Sequence, residues 1–223
     1  MADEDVLSLE DNITNIAVAL LWFFGCSLMV VEPLRTQCHR GLSVNMLLIN
    51  IVGYGVLTIH NLYGFFADSP YFDNVSWSDL FTSGFGLICS IFGFVVIRSK
   101  KNTENDFDYF GIGVAVSGFL GIGISICAHG ANENVFKDML LIESLLYLLG
   151  FVSQICLLAK NRFTKGWSME AVICFAISWI FAMMGMVFDF IIMDFEPFLQ
   201  DDLGTRKVIK GIFTLILLGI ITY

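Results

Sequence analysis

The sequence predicts an all-α membrane protein in which seven transmembrane helices form two parallel three-helix bundles joined by an inversion linker helix. Composition is the first reason. The chain is 57% hydrophobic and 15% charged, against about 25% charged in a typical soluble domain, so most of its surface suits lipid. The second reason is an internal duplication at a spacing of 125 residues. Gly25-x9-Arg35-x5-Gly41-Leu42-Ser43 returns as Gly150-x9-Lys160-x5-Gly166-Trp167-Ser168, each time running from an apolar span through a short basic loop into a second span. Parallel repeats built in the membrane are characteristic of transporters.

A hydrocarbon core needs about 20 mainly apolar residues per helix. Segments near that length fall at 13–31, 43–66, 79–97, 109–128, 139–159, 168–193 and 205–223. The acidic start, residues 1–12, has no positive n-region of a cleavable signal, so the first span is expected to stay as a membrane helix behind a lumenal tail. Residues 13–97 then form the first repeat, 98–138 a linker carrying the fourth helix, and 139–223 the second repeat. The last span opens on Arg206, Lys207 and Lys210 and ends at Tyr223. The loops at 32–40, 98–108 and 160–165 hold eight of the twelve basic residues, which makes them cytoplasmic, the N-terminus lumenal and the C-terminus cytosolic. The opposite loops are acidic and carry the sequons Asn12-Ile13-Thr14 and Asn74-Val75-Ser76, the expectation for a glycoprotein.

Several function classes are excluded on these grounds. A net charge of -9 leaves no basic stripe to displace phosphate counterions, so no nucleic-acid partner is expected. The six cysteines show neither metal spacing nor a CxxC pair. No HExxH, GxSxG or P-loop is present, so neither an enzyme nor a metal or other cofactor is expected.

Polar side chains within apolar helices are costly unless they meet partners or water, which makes each one a candidate site residue. Asn50, Tyr54 and Asn61 share one face of the second span, and Glu143, Tyr147, Gly150 and Gln154 share one face of the fifth. Asn50, Tyr54, Asn61 and Gln154 are the candidate solute contacts, because amides donate and accept toward an amino acid's ammonium and carboxylate. Interhelical hydrogen bonding is the competing reading. Asp79, Glu143 and Asp189 are the candidate proton-coupling groups, read as lying toward the lumenal ends of their spans. For Asp79 the alternative is a helix N-cap, with Ser78-Asp79 opening the third span. His60 reads as a packing histidine or a proton sensor. Gly150, just before Ser153-Gln154, is the candidate hinge, and the glycines of spans 2 and 4 allow close backbone approach.

The plan and the loop signature resemble the PQ-loop superfamily, and within it the cystinosin group. Ser153-Gln154-x11-Gly166-Trp167-Ser168 is similar to that group's second motif, with serine replacing the proline. Gly41-Leu42-Ser43-x6-Asn50-x2-Gly53-x7-Asn61 is similar to its second helix. The resemblance implies a proton-coupled secondary transporter that exports cystine or another amino acid from a lysosomal or vacuolar lumen, with Asp79 at a position important for transport. It also implies departures: Leu28-Met29 replace the first Pro-Gln, while Phe175, Ala171 and Leu218 stand where polar or acidic residues are expected. A non-transporting receptor on the same fold, as in the KDEL receptor, is the alternative.

Overall fold

The computed structural model describes residues 2–36, 41–66, 75–99, 109–129, 133–161, 168–192, 211–212, 215–216 and 219. The described residues form helices α1 (Ala2–Thr36), α2 (Val44–Phe66), α3 (Trp77–Ser99), α4 (Tyr109–His129), α5 (Glu133–Asn161) and α6 (Met169–Ile192). Among the described residues five stretches are long and apolar enough to cross a bilayer: Ile13–Thr36, Val44–Phe66, Trp77–Ser99, Tyr109–His129 and Asn134–Lys160. The chain is a multi-pass, all-α membrane protein. Of the expected seventh span the described residues 211–212, 215–216 and 219 are helical.

Two elements are longer than expected. The segment read as a lumenal tail is helical from Ala2 onward, continuous with the first span, and α1 runs past the buried Pro33 to Thr36. Pro33 has no N–H to give the Met29 carbonyl, which weakens the ladder in the last turn of α1, and the Thr36 hydroxyl donates to the Glu32 carbonyl at 2.8 Å. Helix α5 starts six residues before the expected 139, so Glu143 lies almost three turns inside it rather than near its lumenal end.

The helix starts explain the repeated Gly-Leu-Ser and Gly-Trp-Ser motifs. Ser43 caps α2, its hydroxyl accepting from the Met46 amide at 3.1 Å, and Ser168 caps α6 by accepting from the Ala171 amide at 3.0 Å. Each satisfies an orphan donor of a helix N-terminus, which matters most in lipid, where no water replaces it. Helix α3 begins with a reciprocal capping box. The Ser76 hydroxyl accepts from the Asp79 amide at 3.3 Å, and Asp79 Oδ2 accepts from the Ser76 amide at 3.0 Å and its hydroxyl at 2.7 Å. The cap is therefore Ser76, and Asp79, read as a cap itself, is its partner three residues on.

Helix α2 is central, packed against α3, α4 and α5, while α1 packs on α3 and α6. Helix α4 lies across α2 and α5 through a stripe of small residues, Gly111, Ala115, Gly118 and Ser125, each buried. Side chains from neighbouring helices fill the space a β-carbon would need: Asn45 at Gly111 and Leu146 at Gly118. The outer faces carry exposed Ile59, Phe66, Ile88, Phe119 and Ile124, the surface a bilayer would cover.

Candidate functional site

Helices α2 and α5 turn their polar faces toward each other. Asn50, Gly53 and Tyr54 from α2 and Glu143 and Tyr147 from α5 line one recess with about 140 Å³ of space between atoms, closed too tightly to admit a water molecule. All four side chains are buried, Asn50 at 5% and Glu143 at 3% exposure. Asn50 reaches this position because α5 has a glycine opposite it: a β-carbon on Gly150 would lie 2.6 Å from Asn50 Oδ1. That oxygen is buried and has no hydrogen-bond partner among the described residues. An orphaned acceptor beside a buried carboxyl is costly in an apolar interior, and it invites a donor. Gly150, the expected hinge, sits in continuous helix, and its visible role is this close approach.

Trp22 of α1 closes the recess on one side. Its ring centroid lies 6.2 Å from Tyr147, in a stacked arrangement, and 6.4 Å from Tyr54, edge-on. It also meets Phe175 at 5.0 Å and Trp179 at 6.3 Å, both on α6. The indole N–H groups of Trp22 and Trp179 are buried without a partner among the described residues. The five rings thus join four helices around one point, and two of those indoles still have a proton to donate.

This arrangement is internally symmetric. Advancing by 125 positions turns Val18 into Glu143, Trp22 into Tyr147, Gly25 into Gly150, Asn50 into Phe175, Gly53 into Ser178 and Tyr54 into Trp179. The contacts follow the same rule. Phe175 covers Gly25, 2.8 Å from where a β-carbon would sit, as Asn50 covers Gly150. The Ser178 hydroxyl donates to the Val18 carbonyl at 3.4 Å, and a β-carbon on Gly53 would lie 3.9 Å from the Glu143 carbonyl. Tyr54 lies over Gly86, and Trp179 lies over Gly211, the residue 125 positions further on, so the rule extends into the last span.

The remaining expected site residues have other company. Gln154 is fully buried, and both ends of its amide are engaged by backbone: Oε1 accepts from the Ser43 amide at 2.8 Å and Nε2 donates to the Gly41 carbonyl at 2.7 Å. It holds the start of α2 against α5 and does not face the recess. Asn61 joins α2 to α3, its amide donating to the Asp79 carbonyl at 3.0 Å and the Ser83 hydroxyl at 3.2 Å, with His60 Nδ1 3.1 Å from its Oδ1. Asp79 is occupied by the capping box. The side chain of Asp189 and both sequon asparagines, Asn12 and Asn74, lie outside the described side chains, as does Leu218.

Of the expected residues, then, the recess gathers Asn50, Tyr54 and Glu143, with Gly150 against Asn50, and Gln154, Asn61 and Asp79 are in structural bonds. The residues not singled out beforehand are Trp22 and Trp179. The repeat itself pointed to them, since the same spacing carries Tyr147 back to Trp22 and Tyr54 forward to Trp179. No known protein family and no curated protein matches the chain.

Proposed function

We propose that the chain is a secondary transporter of the PQ-loop type, similar to the cystinosin group, with seven helices in two parallel three-helix units linked by α4. The recess of Asn50, Tyr54, Glu143 and Tyr147, set where α2 of one half of the internal repeat meets α5 of the other, carries this reading. A binding site enclosed between two like units opens alternately to either side when one unit rocks against the other. The solute is cystine or another amino acid, exported with protons from an acidic lumen to the cytosol, with the N-terminus lumenal and the C-terminus cytosolic. Glu143 is the favoured coupling group, because it is buried in the recess while the Asp79 carboxylate serves a helix start. Gln154 is a positioning residue in this scheme. It fixes the loop before α2 to the opposite unit, so a shift of α5 moves both.

The involvement of Asp79 in a cap favours one rival, a receptor that binds a lumenal ligand without moving it. Proteoliposomes with an acidic interior, loaded with labelled cystine and other amino acids, separate the two. Efflux that grows with the pH gradient and loses that dependence in Glu143→Gln supports the carrier. Ligand binding without movement of any solute supports the receptor.

A further inference from the structure

We infer that the recess takes a ligand with a single ammonium group and an aromatic or bulky apolar body, and not a solute with two like polar ends; the inference deepens the transporter reading above and rests on it. Its ground is the mismatch between positions that the repeat makes equivalent. At the α2–α5 contact lie Asn50, Tyr54, Glu143 and Tyr147, where a buried amide oxygen without a partner and a buried carboxyl both suit an N–H donor. At the α1–α6 contact the equivalent positions hold Phe175, Trp179 and Val18, and the Ser178 hydroxyl donates to the Val18 carbonyl. A charged group there would lose its hydration and find no ion partner among these residues. A ring there meets three others at stacking distances.

Trp22 joins the two ends. It meets Tyr54 and Tyr147 of the recess and Phe175 and Trp179 of α6, so a ligand that parts it from the two phenols has an ammonium's partners at one end and aromatic rings at the other. Cystine carries two identical zwitterionic ends, so a two-fold site for it would repeat the amide and carboxyl. Here neither is repeated. The closed gap has to widen for any solute, and the contacts that would part are those of Trp22 with Tyr54 and Tyr147.

The test uses the full chain in two assays. Thermal unfolding in detergent reads binding of phenethylamine, L-phenylalanine, L-cystine and L-arginine, and proteoliposomes read flux of the same four. Phenethylamine or L-phenylalanine is expected to stabilise the protein at concentrations about tenfold below those needed with cystine or arginine. The two aromatic compounds distinguish a free amine from an amino acid. Cystine or arginine matching them, or no compound shifting the transition, overturns the inference. Stabilisation without flux sinks the carrier while leaving the ligand class standing, and flux of cystine in preference does the reverse. Phe175→Asn, which copies Asn50 at the equivalent position, is expected to narrow the preference for phenylalanine over cystine about tenfold. Should that variant not fold, Glu143→Gln is read instead: its preference for phenethylamine over uncharged 2-phenylethanol falls about tenfold if Glu143 receives the ammonium, and an unchanged preference counts against it.

Discussion

At the α2–α5 contact a buried amide, a carboxyl and two phenols face one another, whereas at the equivalent α1–α6 contact the same positions hold valine, phenylalanine and two tryptophans. The backbone arrangement is common to both. Gly150 admits Asn50 and Gly25 admits Phe175, each closer than a β-carbon would allow. The frame of the repeat is thus kept by glycines, caps and small-residue contacts, while the side chains on the frame have diverged. Chemistry that needs polarity is concentrated at one of two geometrically equal places, and that inequality gives the ligand a direction.

The largest difference between the halves is expected at Gln154, whose counterpart is Met29. Gln154→Leu removes the acceptor of the Ser43 amide and the donor to the Gly41 carbonyl, and losing two buried bonds costs about 2–4 kcal/mol together. Met29→Leu is nearly volume-conserving and costs less than about 1.5 kcal/mol. Thermal unfolding in detergent compares the two, and equal losses would break the assignment of Gln154 to the α2 start.

The glycine contacts come next. Gly25→Ala forces a methyl against the Phe175 ring and Gly150→Ala forces one against Asn50 Oδ1, each an overpacking of about 1–3 kcal/mol. The Phe175 ring meets the new methyl with three atoms at 2.8 to 3.1 Å, whereas Asn50 meets it with one oxygen at 2.6 Å and its next atom at 3.6 Å, so Gly25→Ala is the worse of the two. Adding Asn50→Ala to Gly150→Ala restores most of the loss. Gly86→Ala and Gly211→Ala extend the test to α3 and to the position 125 residues further on, where the first meets Tyr54 at 2.8 Å and the second meets Trp179 at 3.2 Å. A clear cost at Gly86 with a smaller one at Gly211 is expected, and no cost at Gly211 would place the last span elsewhere.

These contacts show how far the fold and the site were legible in the sequence. The repeat spacing and the apolar spans gave the helices because hydrophobic length is set by the bilayer and leaves little choice. The facing of Asn50, Tyr54, Glu143 and Tyr147 followed from helical periodicity alone. Partners did not follow. Gln154 and Asn50 are both amides on inward faces, and only the structure shows that one meets backbone on both sides while the other meets none. The capping box of α3 was written in Ser76-x-x-Asp79, yet the apolar run put the helix start at Ser78-Asp79, two residues late, so Asp79 stood as the cap. The depth of Glu143 was misread because α5 continues through the polar residues 133–138, which hydropathy counts as loop.

A smaller effect tests whether Asp79 differs in kind from Glu143. Asp79→Asn keeps an acceptor for the Ser76 amide and hydroxyl but loses charge at the helix start, a cost of about 0.5–1 kcal/mol. In liposomes its pH dependence of flux should match that of the unaltered chain, while Glu143→Gln flattens it. Loss of pH dependence in Asp79→Asn would return the coupling role to α3.

The smallest expected effect lies at Ser178, the position equivalent to Gly53. Its hydroxyl donates to the Val18 carbonyl at 3.4 Å, a long bond to a carbonyl that already belongs to α1, and interhelical bonds within membranes average about 0.6 kcal/mol. Ser178→Ala is expected to fall at or below that value in thermal unfolding. The reciprocal change, Gly53→Ser, places a β-carbon 3.5 Å from Leu146 Cβ and 3.9 Å from the Glu143 carbonyl, both ordinary contact distances. Its hydroxyl is then within reach of that carbonyl, as Ser178 is of Val18, so the variant should fold with little change in stability. It also narrows the recess lined by Gly53, so phenethylamine stabilisation should weaken in Gly53→Ser and stay unchanged in Ser178→Ala. Equal weakening in both would mean that the ligand spans the two halves alike, against the unequal filling of the repeat.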